Sequence, residues 1–182
     1  RWGIWSGGRR GPWLASGSGA WCRSMVSAEF LEKRLFTLGA QILIETLPGW
    51  ASGEILAKKQ VEAKATYTRR FNKDDGKIDC TQTTAAIINQ IRAFDPWPST
   101  YVVWEGKLLK ILEATAGADV SMRATEYVAG TGLLYKSADL SFPALKTSDG
   151  VLVLSKVQLE GRRAVAGWEF LNGYPNFIGT HL

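Results

Sequence analysis

Apolar residues recur at helical spacing near the start of the chain, and this periodicity predicts an amphipathic helix. Ser27 precedes the run and suits a helix N-cap, while Glu29 in the first turn faces the positive end of the helix dipole. Pro48-Gly49 is expected to stop the helix. The apolar positions are Phe30, Leu31, Leu35, Leu38, Ile42 and Leu43. This stripe needs a surface to pack against.

A second helix is predicted from Ala85 to Phe94, capped by the Thr81–Thr84 cluster. The segment Asp95-Pro96-Trp97-Pro98 is expected to end it, because a residue before proline is pushed into extended geometry. The expected buried face consists of Ile87, Ile88, Ile91 and Phe94.

Beyond Pro98 the pattern changes to short runs typical of β-strands, separated by turn residues. A two-residue turn at Glu105-Gly106 predicts a hairpin, and the all-apolar run Val151–Leu154 predicts a central strand. The expected elements are strands at 101–104, 107–114, 132–136, 140–145 and 151–159 and a short helix at 164–171. Short strands with frequent turns favour a small antiparallel barrel, closed or nearly so.

Charge is distributed unevenly. The net charge of the chain is +5, but residues 1–26 hold four arginines and no acid. Residues 27–76 carry eight basic and seven acidic residues, and residues 77–182 carry ten of each. Residues 1–26 also hold four of the eight tryptophans and have neither a helical nor an alternating period. We expect this stretch to be unstructured and foreign to the fold; the alternative is a nucleic-acid-binding or membrane-binding arm.

Residues 51–76 are polar and weakly patterned, which predicts a linker with a short extended piece near 65–71. Arg69, Arg70 and Lys73 within it, and Lys77 just after it, are candidates for contact with a phosphate backbone, although a charge run of this kind is usually a solvated surface.

Few residues suit metal binding or nucleophilic catalysis. Cys22 and Cys80 are far apart in sequence and form no redox or metal motif, so a reduced cytosolic protein is expected. His181 is the single histidine. A histidine-based metal cluster is therefore impossible, and a Ser-His-Asp site would depend on a residue beside the C-terminus. We expect no catalytic residue and no metal site.

Three segments together resemble a known family. The stretch IRAFDPWPSTYVVWEGKLLKILEA is similar to the C-terminal domain of the methionyl-tRNA formyltransferases, and KIDCTQTTAAIINQIRAF before it and GVLVLSKVQLEGRRAVAGWEFLNG after it fit the same domain in order. SAEFLEKRLFTLGAQILIETL looks like the last helix of the family's catalytic domain. The resemblance covers residues 27–182.

The resemblance implies an OB-like antiparallel β-barrel over 77–182 that contacts tRNA, after the last catalytic-domain helix (27–50) and a linker (51–76). The family transfers a formyl group from 10-formyltetrahydrofolate to methionyl initiator tRNA, in the cytoplasm. The family's catalytic Asn, His and Ser-Leu-Leu-Pro motifs are missing from this sequence. We therefore expect a fragment of such an enzyme that binds no cofactor and is inactive alone. Its expected partners are initiator methionyl-tRNA and the missing catalytic domain.

Phosphate contact requires clustered lysine and arginine side chains. The expected tRNA-binding residues are Lys107, Lys110, Lys156, Arg162 and Arg163, with linker contacts from Arg69, Arg70 and Lys73. Arg162 and Arg163 lie where the family has a basic loop; ordinary surface charge balanced by acids is the alternative. Trp97 and Trp104 could stack on bases, but both are expected to pack in the core.

Two other functions stay open. The same domain type occurs in relatives that formylate amino sugars or use formyltetrahydrofolate, so the parent substrate could be a small molecule. The chain could also be a stand-alone interaction module with helix 28–47 as its docking surface.

Overall fold

The computed structural model describes residues 27–117, 127–137 and 140–182. The expectation for residues 1–26, including Cys22, therefore lies outside the described residues. The chain divides into two compact units between Phe71 and Asn72. The residues expected to form a linker, 51–76, are divided by that boundary.

The first unit contains helix α1, Ala28–Ala51. Ser27 is its N-cap, as predicted, and its hydroxyl accepts a hydrogen bond from the Phe30 N–H at 3.3 Å. The helix does not stop at Pro48-Gly49: the Pro48 carbonyl accepts from the Ser52 N–H at 2.9 Å. Proline removes one N–H donor, and in the last turn this loss is small enough for the helix to continue. No residue of α1 is buried.

Residues 56–71 follow without regular structure except for a 3-10 turn at Glu62–Lys64. The extended piece expected at 65–71 pairs with no strand among the described residues. No helix in the described part of the chain is long and apolar enough to cross a membrane.

The second unit begins with a 3-10 turn, Lys73–Gly76, and helix α2, Thr84–Ala93. Thr83 caps α2, since its hydroxyl accepts from the Ala86 N–H at 3.3 Å. Ile87 and Ile91 are buried and Ile88 and Phe94 are partly buried, so the predicted apolar face is confirmed. Hydrogen bonds from Gln90 Nε2 to the carbonyls of Asp75 (2.9 Å) and Lys77 (3.4 Å) fix the preceding segment against α2.

Six antiparallel strands form one sheet. They are β1 Thr100–Trp104, β2 Lys107–Ala116, β3 Gly132–Ser137, β4 Leu140–Lys146, β5 Val151–Leu159 and β6 Ala164–Ala166. The order is β1-β2-β5-β4-β3, with β6 also paired to β5. β5 is central and its first four residues are all buried, as the apolar run predicts. The Glu105-Gly106 turn has positive φ at both residues, which matches the twist of a tight hairpin.

The sheet is open, so the expected barrel, closed or nearly so, is not confirmed. Its edge strands, β1 and β3, do not pair with each other among the described residues. Each is covered instead by irregular chain. The Ile78 N–H donates to the Tyr101 carbonyl at 2.9 Å on the β1 edge, and the Gly179 N–H donates to the Gly132 carbonyl at 2.8 Å on the β3 edge. These bonds pair some of the backbone groups that an open edge would leave exposed.

The C-terminal region differs from its predicted helix. Ala164–Ala166 forms β6, and helix α3 begins only at Gly167 and ends at Gly173. Ala166, Val165 and Ala164 pair with Lys156, Val157 and Gln158 of β5. The alanines are compatible with a helix by propensity, but pairing with the central strand outweighs that local preference.

Trp104 lies at the centre of the core and is 1% exposed. Its ring meets those of Phe170, Tyr174 and Phe177 edge-on, with centroids 5.6, 5.5 and 5.8 Å away. The expectation of a core position is confirmed for Trp104. It is wrong for Trp97, which lies between two prolines after the end of α2 and is 58% exposed.

Candidate nucleic-acid interface

Three of the predicted basic residues lie at one end of the sheet. β2 begins at Lys107 and β5 ends at Leu159, and these antiparallel strands are neighbours. The Leu108 N–H donates to Glu160 Oε2 at 3.0 Å, and the Glu160 N–H donates to the Leu108 carbonyl at 2.9 Å. These bonds place Lys107 beside the β5–β6 turn that carries Arg162 and Arg163.

The arginine turn is ordered by its own hydrogen bonds. The Arg162 N–H donates to the Leu159 carbonyl at 2.9 Å, and the Gln158 side-chain amide donates to the Arg162 carbonyl at the same distance. Gly161 has a φ of +73°, a conformation that favours glycine. Arg162 and Arg163 are both exposed, so their guanidinium groups extend from a turn of fixed backbone.

Lys110 and Lys156 lie on the outer face of the same sheet. Lys110 pairs with Gln158 of β5, and Lys156 is two residues from Gln158 on that strand. Their neighbours in sequence, including Leu109, Ile111 and Val157, are buried on the opposite face. Side chains two residues apart on a strand share a face, so Lys156 lies on the same face as Gln158 and its partner Lys110. A β-bulge after Ile111 places Glu113, rather than Leu112, opposite Lys156. The structure therefore places three of the predicted basic residues, Lys107, Arg162 and Arg163, at one end of the sheet and two, Lys110 and Lys156, on its outer face. Lys107 pairs with buried Trp104 and so belongs by register to the face opposite Lys110.

Acidic side chains lie near this cluster but do not neutralise it fully. Lys156 Nζ is 3.4 Å from Glu113 Oε1, and both side chains are about half exposed or more. Such a pair is weak and screened by salt. Glu105 accepts a hydrogen bond from Asn176 Nδ2 at 2.6 Å, and Glu160 accepts the bond from Leu108.

The three predicted linker contacts are separated by the boundary between the units. Arg69 and Arg70 belong to the first unit, where Arg69 Nη1 donates to the Arg70 carbonyl at 3.2 Å. Lys73 belongs to the second unit, at the start of the 3-10 turn.

One residue of the outer face has no distinguishing mark in the sequence. Tyr101 stands directly across β1–β2 from Lys110 and forms an isolated parallel bridge with Lys77 on its other side. A bridge of one residue produces no periodicity, so the sequence pattern gives no reason to select Tyr101. Only the register shows that it separates two lysines.

A cleft of about 480 Å³ lies between the β1 edge and the C-terminal segment. Cys80, Asp79 and His181 are among its lining residues. Burial, with a smaller contribution from the Asp79 carboxylate, raises the pKa of the Cys80 thiol to about 11. A thiol of that pKa is protonated near neutrality and is a poor nucleophile. No group of three or more metal-binding side chains occurs in the described residues.

Comparison with known proteins identifies the domain. Residues 70–175 match the model of the family described as "Formyl transferase, C-terminal domain". The chain belongs to this family. The matched range includes the whole sheet, the cluster of five basic residues and α3 up to Gly173.

Curated relatives named methionyl-tRNA formyltransferase share this region. The protein of Roseiflexus sp. (strain RS-1) is 40% identical over 143 residues, which is 79% of this chain and 42% of the relative. The protein of Chloroflexus aggregans is 36% identical, with 79% and 44% covered, and that of Anaeromyxobacter dehalogenans is 36% identical, with 81% and 46% covered. The chain thus spans less than half the length of these relatives.

A solved structure shares the fold. HypX from Aquifex aeolicus, in complex with tetrahydrofolic acid, superimposes with a TM-score of 0.56 at 13% identity, covering 76% of this chain and 23% of that one. At this identity the likeness concerns the fold of the formyl transferase C-terminal domain alone.

Proposed function

We propose that this chain is the C-terminal portion of a methionyl-tRNA formyltransferase and that its sheet domain binds initiator methionyl-tRNA. Formyl transfer from 10-formyltetrahydrofolate is assigned to a catalytic domain that this chain does not supply. The family and the names of its relatives support the first part.

Five basic side chains grouped at one end of the sheet and on its outer face support tRNA binding. Lys107, Arg162 and Arg163 occupy one end of the sheet, and Lys110 and Lys156 extend the charge along its outer face. Phosphate neutralisation dominates protein–nucleic acid affinity, so the local arrangement of cations matters more than total charge. Arginine adds bidentate geometry for phosphate oxygens.

Rigid presentation strengthens this assignment. Arg162 and Arg163 stand on a turn fixed by the Leu159 and Gln158 hydrogen bonds, so less backbone freedom is lost when RNA binds. Phosphate contacts do not read the bases. We therefore expect tRNA binding by this surface to be weak, sensitive to salt and largely independent of the RNA sequence.

A band-shift titration of initiator tRNA at low salt tests the proposal. The wild-type chain should shift the tRNA, and the Arg162→Ala/Arg163→Ala variant should require a markedly higher protein concentration. Absence of any shift by the wild type would contradict tRNA binding, and an unchanged shift by the double variant would contradict the site.

The assignment of catalysis can be tested separately. The purified chain should give no formylated product from methionyl-tRNA and 10-formyltetrahydrofolate, because its only histidine is exposed beside the C-terminus and pairs through its backbone with Thr131. Formylation by the chain alone would refute this assignment.

A further inference from the structure

Four aligned residues form a row across the outer face of the sheet. Lys77 bridges Tyr101, Tyr101 pairs with Lys110, and Lys110 pairs with Gln158. Residues paired directly across strands point to the same face, with Cβ atoms about 4.5–5.5 Å apart. Burial agrees with this register: Ile78, Val102 and Leu109, the next residues along each strand, are all buried on the opposite face. Tyr101 therefore stands between two lysines.

The backbone of Lys77, the one lysine of the row that lies outside the named strands, is fixed by its neighbours. The Ile78 N–H donates to the Tyr101 carbonyl at 2.9 Å, and the Lys77 carbonyl accepts from Gln90 Nε2 at 3.4 Å. Gly76 fits against the start of β1 so closely that a Cβ there would lie 2.1 Å from the Ser99 carbonyl oxygen. Backbone packing of this kind fixes the position from which the Lys77 side chain extends.

The side chains of the row are accessible to a ligand that carries both an aromatic ring and a negatively charged group. Lys77 and Lys110 are exposed, and Tyr101 is partly exposed. No carboxylate belongs to the row, since its fourth member is the neutral Gln158. An aromatic ring between cations is the arrangement used to bind unpaired nucleotides, with the base on the ring and phosphates at the cations.

We infer that Lys77, Tyr101 and Lys110 form a subsite for one unpaired nucleotide of RNA. The base lies against the Tyr101 ring and the flanking phosphates approach the two ammonium groups. The inference rests on the proposed function and extends it, because it adds an aromatic contact to a surface otherwise defined by charge. An acidic protein segment would use the lysines but would gain nothing specific from the ring.

The test uses the full chain and a fluorescein-labelled oligouridylate of about ten nucleotides, which is unpaired along its length and carries phosphates on both sides of each inner base. Dissociation constants are measured by fluorescence anisotropy at several salt concentrations for Tyr101→Phe, Tyr101→Leu, Lys77→Gln and Lys110→Gln. Lys136→Gln is the matched control, because Lys136 is an exposed strand lysine on β3 at the far edge of the sheet. Thermal unfolding of each variant confirms that it is folded.

We expect Tyr101→Phe to bind within about twofold of wild type and Tyr101→Leu to bind roughly fivefold more weakly or worse, since only phenylalanine keeps the stacking face. Each lysine variant should reduce the slope of log affinity against log salt by about 0.7, the value for single strands. Lys136→Gln should change neither quantity.

Several results would overturn the inference in distinguishable ways. If Tyr101→Leu binds as tightly as wild type while Arg162→Ala/Arg163→Ala still loses tRNA binding, the subsite is wrong and the proposed function stands. If wild type binds neither tRNA nor the oligouridylate, both fail. If poly-glutamate displaces the RNA, and Tyr101→Leu changes the affinity for neither the RNA nor poly-glutamate, the row is a charged surface for an acidic partner.

A second readout covers the case in which Tyr101→Leu does not fold. An oligouridylate carrying 5-iodouridine is crosslinked by light to the unmodified chain, and the attached peptide is identified by mass spectrometry. Attachment at Tyr101 supports the subsite, whereas efficient attachment confined to other residues contradicts it.

Discussion

The backbone N–H of Thr84 donates a 2.7 Å hydrogen bond to Oδ1 of Asp149, although 65 residues separate the two in the chain. The same oxygen accepts from the Thr84 hydroxyl at 3.0 Å and from the Thr147 hydroxyl at 3.3 Å. Asp149 lies in the turn between β4 and β5, and its carboxylate accepts from the Thr84 N–H, which has no partner within the first turn of α2. This contact joins the helix to the centre of the sheet.

We expect Asp149→Ala to lower the melting temperature and Asp149→Asn to lower it less, because asparagine keeps an acceptor oxygen. Hydrogen bonds from Thr84, the backbone bond first, lower the pKa of Asp149 from its ordinary value of 3.8. A lowered folded-state pKa contributes stability that is complete above the ordinary value and is lost as pH falls through the folded value. The difference in melting temperature between wild type and Asp149→Ala should therefore shrink as pH falls below 3.8; a constant difference would contradict the charge-assisted bond.

Trp104 and Trp97 should respond very differently to truncation. Trp104→Ala removes a side chain that is 1% exposed and packed on three rings, so a loss of about 3–5 kcal/mol in the free energy of unfolding is expected. Trp97→Ala removes a side chain that is 58% exposed and should change stability by less than about 0.5 kcal/mol. Chemical denaturation measures both values, and similar losses for the two variants would contradict the assigned core.

Two glycines of α3 provide a second matched pair. A Cβ on Gly167 would lie 1.9 Å from the Leu154 carbonyl oxygen, while a Cβ on Gly173 would meet nothing within 4 Å. Gly167→Ala must displace α3 from β5 and should cost about 1–3 kcal/mol. Gly173→Ala should be neutral or slightly stabilising, because alanine has less backbone freedom to lose. Equal tolerance of both substitutions, measured by thermal unfolding, would place α3 elsewhere.

Local patterns in the sequence predicted most elements of this fold. The turn residues Glu105-Gly106 bounded two strands correctly, and the all-apolar run at 151–154 identified the central strand. Two element boundaries were predicted wrongly, for different physical reasons. Ala164–Ala166 pairs with β5 rather than starting α3, and α1 continues through Pro48 because its last turn tolerates a missing donor.

The candidate site could be predicted only as a set of charges. Lysines and arginines are visible in sequence, but their proximity depends on the β2–β5 register, which joins residues about fifty positions apart. The place of Tyr101 between Lys77 and Lys110 depends on a single bridge outside the named strands. Such long-range pairings leave no local periodicity from which they could be inferred.

If the basic residues of the sheet domain bind tRNA through phosphate contacts, tRNA affinity falls as salt rises, and Arg162 and Arg163 contribute to that slope. Affinities of wild type and Arg162→Ala/Arg163→Ala are measured over a range of salt concentrations, with Lys58→Ala/Lys59→Ala as a control that also removes two adjacent exposed charges. We expect the arginine variant to reduce the slope of log affinity against log salt by roughly 1.5 and the lysine control to leave it unchanged. An arginine variant with the wild-type slope would contradict the account.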